Sequence, residues 1–152
     1  MIETIKGDIT WSKADYICHQ VNCQGKMNSG VAKAIREKWQ RVYEFYLRAN
    51  IGKSWEHMHG HIQEVPVNET QSVINMFAQN YYGYDGRRYT SYDAFWTCLG
   101  EIRAQVPKGK TIAFPRYIGC ARGGANWNVI YTMICEVLDE DYNIEIWDFD
   151  KG

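Results

Sequence analysis

Tyr16-Ile17-Cys18-His19-Gln20-Val21 runs into Asn22-Cys23-Gln24-Gly25-Lys26-Met27-Asn28 and then into Ser29-Gly30-Val31-Ala32. The first six residues alternate. Ile17, His19 and Val21 fall on one face of an extended strand, and Tyr16, Cys18 and Gln20 on the other. From Ser29 to Arg48, the apolar residues Val31, Ile35, Trp39, Val42 and Phe45 recur at steps of three or four. That period predicts one helix with Ser29 as its N-cap. A strand feeding a helix through a short glycine-bearing loop is one unit of an α/β sheet. Such a loop lies beyond the carboxyl end of the strand, where helix amides point and ligands gather.

The rest of the chain repeats the alternation. His61 to Val67 and Gln71 to Ala78 read as strands joined by a turn at Asn68-Glu69. Tyr81 to Arg88 reads as a loop with a turn at Asp85-Gly86. Thr90-Ser91-Tyr92-Asp93 has the pattern of a capping box and opens a helix through Phe95, Leu99 and Ile102, stopped by Pro107-Lys108-Gly109. Lys110 to Phe114 is a short buried strand, and Pro115 to Ala125 a glycine-rich loop. Asn126 caps a third helix with Val129, Met133 and Val137 facing inward, and Asn143 to Phe149 is the last strand. With a first strand ahead of Asp8, the order β–β–α–β–β–α–β–α–β predicts an α/β fold, a sheet covered by helices on both faces, in one domain over residues 1–152.

Composition narrows the partners. The 152 residues carry 17 Lys+Arg against 18 Asp+Glu, a net charge of −1. A protein that coats duplex nucleic acid needs a basic excess, so that class is excluded, whereas a small nucleotide held by backbone amides is not. No run of about 18 apolar residues predicts a membrane span. The start, Met1-Ile2-Glu3-Thr4-Ile5-Lys6, has no signal-peptide pattern. Cys18, Cys23, Cys98, Cys120 and Cys135 are odd in number and form no C-x-x-C. Both features predict reduced thiols and a cytoplasmic setting. The aromatic content is high, at 14%. Trp39, Phe45, Phe77, Phe95 and Phe114 fall at core-facing positions, leaving Tyr117, the Tyr81–Tyr89 loop and Phe149 to touch a ligand.

Two strand-to-helix loops can carry chemistry. The first is Asn22 to Gly30. The second contains Ile118-Gly119-Cys120-Ala121-Arg122-Gly123-Gly124. Neither holds the Gly-Lys-Ser/Thr of a nucleotide-triphosphate loop. Together they suit a pyrophosphate clamped from two sides, the helix start supplying unpaired amides and a partial positive charge. His19, three residues before the first loop, fits either a core histidine or an acid–base or nucleophilic group in phosphoryl transfer. His57, His59 and His61 would share one face if they lay on a strand, but no fourth ligand accompanies them and no metal is expected. Cys18 and His19 point to opposite faces, which excludes them as a nucleophilic pair. Cys23 and Cys120, at the two loops, fit either a nucleophile paired with a histidine or packing thiols, the commoner role. Asp8 fits a turn cap or an acceptor for an exocyclic amine.

These segments, in this order, resemble a macro domain, the ADP-ribose-binding module, over essentially the whole chain. Lys6-Gly7-Asp8-Ile9-Thr10 is similar to the family's opening motif. Gln20-Val21-Asn22-Cys23-Gln24-Gly25 with Ser29-Gly30-Val31-Ala32 resembles its first ligand loop. Ile118-Gly119-Cys120, Gly123-Gly124 and Asn126-Trp127 resemble its second. The resemblance implies a three-layer α/β/α fold with a mixed central sheet. It implies that Asp8 meets the adenine amine and Ile9 packs on the ring. Asn22, Gln24, Met27, Ser29, Gly30 and Val31 would hold the distal ribose and diphosphate, with Ile118, Gly119, Cys120, Ala121 and Arg122 closing from the other side. Ala121 stands where glycine is usual, which points to a narrower diphosphate groove.

Cys18-His19-Gln20-Val21-Asn22-Cys23-Gln24-Gly25 is similar to the small stand-alone phosphatases that act on ADP-ribose 1″-phosphate. In those a histidine at the place of His19 is implicated in catalysis. Ala32 departs from the acidic residue of one hydrolase subgroup, and Gln79 and Gly123 depart from the lysine and aspartate of another. The resemblance therefore implies a hydrolase that releases phosphate from ADP-ribose 1″-phosphate, with His19 and Asn22 as the catalytic pair and no cofactor. Two alternatives remain: a non-catalytic ADP-ribose reader, and an ADP-ribosyl hydrolase acting on protein or nucleic acid.

Overall fold

A computed structural model describes residues 1–27, 30–49, 55–80, 87–121 and 123–149. They form a six-stranded mixed sheet in the order β1-β6-β5-β2-β4-β3. The strands are β1 (Ile2–Lys6), β2 (Tyr16–Gln20), β3 (Ile62–Pro66), β4 (Ser72–Met76), β5 (Thr111–Pro115) and β6 (Asn143–Asp148). β3 and β4 pair antiparallel as a hairpin, and every other pairing is parallel. The order follows from burial. β4 and β5 are buried along nearly their whole length, whereas the edge strands β1 and β3 leave residues exposed. The helices are α1 (Gly30–Lys38), α2 (Gln40–Arg48), α3 (Tyr92–Gln105) and α4 (Trp127–Leu138).

Two cores make the three layers. Ile17, Val73 and Ala113 of the sheet pack with Ile35, Val42 and Tyr46 of α1 and α2. Cys18, Ile74 and Ile112 pack on the opposite face with Phe95, Leu99 and Ile134 of α3 and α4. The predicted alternation of β2 is thus realised, with Ile17 and Cys18 in different cores. This is the three-layer α/β/α arrangement.

Three local expectations are corrected. The helix expected over Ser29–Arg48 is two helices, because Trp39 alone leaves helical geometry (φ −132°, ψ 84°). The break rotates the second helix so that Tyr46, not Phe45, is fully buried. In α4 the inward stripe is Ile130, Ile134 and Leu138, while Val129 is 40% exposed. Both stripes are apolar, so periodicity cannot choose between them and packing on the sheet does. The N-cap of α3 is Ser91, whose side chain accepts from Ala94 N. Thr90, one residue earlier, is buried and serves the site instead.

Candidate functional site

The site lies where the sheet changes direction. β2 and β5 are parallel neighbours. The chain leaves β2 for α1 and α2 on one face, and leaves β5 for α4 on the other. Their carboxyl ends therefore sit side by side with connections diverging, which opens a crevice. A cleft of about 920 Å³ occupies it. The loops expected from sequence meet there although residues 22 and 119 are far apart in the chain.

Of the residues expected at the site, Asp8, Ile9, His19, Asn22, Met27, Gly30, Val31, Ile118, Gly119, Cys120 and Ala121 line this cleft. Gln24 does not. Its Nε2 donates to Asn80 O at 3.1 Å, so it braces the loop from behind. Ser29 and Arg122 lie outside the described residues, as does most of the Tyr81–Tyr89 loop. Tyr117 and Phe149, about half exposed, line the cleft.

The first loop is held by one buried side chain. The Tyr46 hydroxyl lies 2.7 Å from Asn22 O and 2.8 Å from Asn22 Oδ1, and accepts from the amides of Gly25 (3.0 Å) and Lys26 (3.2 Å). Burial raises its pKa above the ordinary tyrosine range, so it stays protonated. Asn22 Oδ1 also accepts from Gln24 N at 2.9 Å. The Asn22 side chain is therefore committed to the shape of the loop. It is a positioning residue in this geometry, not the free amide a catalytic role needs.

The second loop is held from the sheet and from the segment that leads into α3. Thr90 Oγ1 accepts from Gln20 Nε2 at 2.7 Å and donates to Gly119 O at 2.8 Å. Gly123 O accepts from the amides of Tyr89 (2.7 Å) and Thr90 (2.9 Å). Gly119 has φ 75°, a left-handed conformation. A Cβ on Gly123 would lie 2.1 Å from Thr90 Oγ1 and 2.3 Å from Gly119 O, so only glycine fits. Among the described residues the amides of Gly119 and Ala121 make no internal hydrogen bond. Sequence reasoning missed Tyr46, Thr90 and Gln20, since each acts on a loop remote in the chain.

Asp8 is a turn cap that also lines the cleft. Its Oδ1 caps the 3-10 turn Ile9–Trp11, accepting from Thr10 N (2.9 Å) and Thr10 Oγ1 (2.8 Å), while the residue lines the cleft. Cys120 is no nucleophile near neutral pH, because burial pushes its thiol up to about 11. His57, His59 and His61 do not share a strand face. His57 lies on the turn Trp55–Met58, and His61, ahead of β3, bonds Glu101 through Nδ1 at 2.7 Å. No group of three or more His, Cys, Asp or Glu is placed to hold a metal among the described residues. No helix among them is long and apolar enough to cross a membrane.

His19 is 1% exposed at the inner wall of the cleft, and its Nε2 lies 2.5 Å from Asn75 Oδ1. Burial lowers its pKa to about 4, opposed by the bond to Asn75. It is neutral at pH 7, which removes the general-acid half of the role expected for it. Unfolded chain takes up this proton near pH 6.5 and folded chain only near 4. Between those values the unfolded state holds more protons, so stability falls as pH is lowered through that window. The full loss is about 3 kcal/mol. Urea unfolding at pH 7 and pH 4.5 is expected to show most of it in the wild type and not in His19→Gln. Equal pH dependence in the two proteins would contradict it.

No protein-family model matches the chain. It is 21% identical over 153 residues to a DNA ADP-ribosyl glycohydrolase of Thermus aquaticus, an alignment that takes 97% of this chain and 40% of that protein. The chain thus spans less than half the length of this curated relative. A solved protein of unknown function from Bacteroides thetaiotaomicron is 28% identical, with a TM-score of 0.80 and 98% of each chain covered. A macrodomain protein from Streptomyces coelicolor is 25% identical, with a TM-score of 0.75 and 100% of each chain covered. Sheet order, the crevice between β2 and β5 and this full-length superposition agree: the chain has the macrodomain fold.

Proposed function

We propose that the cleft binds ADP-ribose and that the protein is a hydrolase acting at the distal-ribose end of that ligand. The observation that carries the reading is the pair of opposed loops. Gly119 and Ala121, whose amides make no internal hydrogen bond among the described residues, line the same cleft of about 920 Å³ as Gly30 and Val31 at the start of α1, a volume that suits a dinucleotide-like ligand. Charge at the rim is largely neutralised. Arg116 pairs with Asp148 at 2.7 Å and Lys33 approaches Glu37 at 3.9 Å. A diphosphate would therefore be held chiefly by backbone amides, consistent with a chain of net charge −1. Asp8 and Ile9, after β1, and Trp147 and Phe149, at the end of β6, line the cleft on the β1–β6 side of the sheet and suit adenine. His19 and Asn22, at the end of β2, line it on the other side of β5 and suit the distal ribose.

The substrate we assign first is ADP-ribose 1″-phosphate. Water adds to phosphorus, the bond from phosphorus to the 1″ oxygen breaks, and ADP-ribose and phosphate leave. A neutral His19 can accept a proton from the attacking water; with a pKa of about 4 it is a weak base, and the expected rate is modest. The similarity to a protein named DNA ADP-ribosyl glycohydrolase supports a second reading, in which the bond broken joins the distal ribose to a macromolecule. Calorimetry with ADP-ribose, phosphate release from ADP-ribose 1″-phosphate, and ADP-ribose release from modified DNA and protein separate the readings. We expect binding, and phosphate release reduced at least tenfold in His19→Ala. Equal phosphate release in both proteins would remove His19 from the chemistry. Binding with no turnover of any substrate would leave a reader. No binding would refute the assignment.

A further inference from the structure

His19 is the first member of a buried polar chain that the functional reading does not need. β2 and β4 place His19 opposite Asn75, and β3 and β4 place Asn75 opposite Gln63. Asn75, 0% exposed, lies 2.5 Å from His19 Nε2 through Oδ1 and donates from Nδ2 to Gln63 Oε1 at 2.9 Å. Gln63 Nε2 donates to Phe45 O, a backbone carbonyl of α2, at 2.6 Å.

The carbonyl sets the direction of the whole chain. Phe45 O can only accept, so Gln63 must turn its NH₂ towards it and its oxygen towards Asn75. That oxygen can only accept, so Asn75 must turn its NH₂ to Gln63 and its Oδ1 to His19. Oδ1 can only accept, so the proton of the neutral imidazole is on Nε2. Nδ1 then carries a lone pair. It is buried and has no hydrogen-bond partner among the described residues, on a side chain that lines the cleft. A buried acceptor left unmet is costly and calls for a donor. A phosphate oxygen has no proton to give, whereas a sugar hydroxyl has.

We propose that Gln63 and Asn75 are positioning residues that lock His19 as the Nε2–H tautomer, so that Nδ1, the nitrogen left to take a proton from the attacking water during turnover, accepts a hydrogen bond from a hydroxyl of the distal ribose when ADP-ribose itself is bound and that water is absent. This rests on the ADP-ribose reading for its ligand half only. Long-range proton–nitrogen spectra of the histidine rings read the tautomer in the ligand-free protein. The wild type is expected to show His19 protonated on Nε2 alone, and Asn75→Leu a mixture of tautomers. Gln63→Leu, at a half-buried site that tolerates change more readily, is expected to show a mixture as well. ADP-ribose is expected to shift the Nδ1 resonance, and ADP, which lacks the distal ribose, is not. Affinity for ADP-ribose should fall about tenfold in Asn75→Leu while affinity for ADP stays within twofold.

A wild-type His19 protonated on Nδ1, or an unchanged tautomer in both variants, would overturn the relay. An equal Nδ1 shift with ADP would overturn the ribose contact. Failure of ADP-ribose to shift any resonance would sink the functional reading and the ligand half together, leaving the relay decided by the free protein alone.

Discussion

Gly123→Ala is expected to abolish measurable ADP-ribose binding, a loss of at least 100-fold, or about 3 kcal/mol. The methyl carbon has nowhere to go. Its ideal position is 2.1 Å from Thr90 Oγ1 and 2.3 Å from Gly119 O. Neither neighbour is a flexible tip. Thr90 Oγ1 is fixed between Gln20 Nε2 and Gly119 O, and Gly119 O also accepts from Ala125 N at 3.0 Å. Relief of the clash requires the Gly119–Gly123 backbone to move, and with it the amides facing the cleft. Broken bonds to Thr90 and Tyr89 should lower stability by about 2–4 kcal/mol as well. Gly100 is the control. It lies in α3 with nothing within 4 Å of an added Cβ, so Gly100→Ala should gain about 0.5–1 kcal/mol and leave affinity alone. Calorimetry and urea unfolding of both variants test the contrast. Wild-type affinity in Gly123→Ala would mean that the second loop does not shape the ligand site.

Most of the architecture is legible locally because strands and helices obey periods of two and 3.6. The alternation of Tyr16, Ile17, Cys18 and Val21 correctly sorts residues between two cores. Glycine-bearing loops after β2 and β5 are equally local signals. What local pattern does not supply is phase and partnership. Val129 and Ile130 each begin an apolar stripe at steps of four, and only the sheet decides that Ile130 faces in. Thr90-Ser91 offers two capping hydroxyls in succession. The helix takes Ser91, freeing Thr90 for a bond to Gly119, 29 residues away. Asn75 and Gln63 look like ordinary strand polars until the register of β2, β4 and β3 aligns them with His19. The His57–His61 spacing misleads for the same reason: its strand period is imposed on a segment that starts as a 3-10 turn.

Tyr46→Phe is expected to weaken ADP-ribose binding about 10–30-fold while leaving the fold intact. Phenylalanine keeps the ring, which stacks on Phe77 at a centroid distance of 5.7 Å and fills the space between α2 and the sheet. Only the oxygen is lost, and with it the atom that gathers Asn22, Gly25 and Lys26 from beneath, leaving the direct bonds between Asn22 and Lys26 and the long contact from the Tyr43 hydroxyl to Gly25 O. Asn22 Oδ1 keeps its bond from Gln24 N, so the loop opens without losing its first turn. Each buried backbone group left without a partner costs about 1–3 kcal/mol, less where water can enter from the cleft side. Unfolding stability should therefore drop by about 2–3 kcal/mol. The affinity loss arises separately, because a loop that samples several conformations must be ordered again when ligand binds. Tyr46→Leu, which also empties ring volume, should cost still more stability with no larger loss of affinity. Calorimetry against ADP-ribose alongside urea midpoints separates the two effects. If Tyr46→Phe lowers stability but binds ADP-ribose as the wild type does, the 22–27 loop is shaped by its own bonds and not by α2.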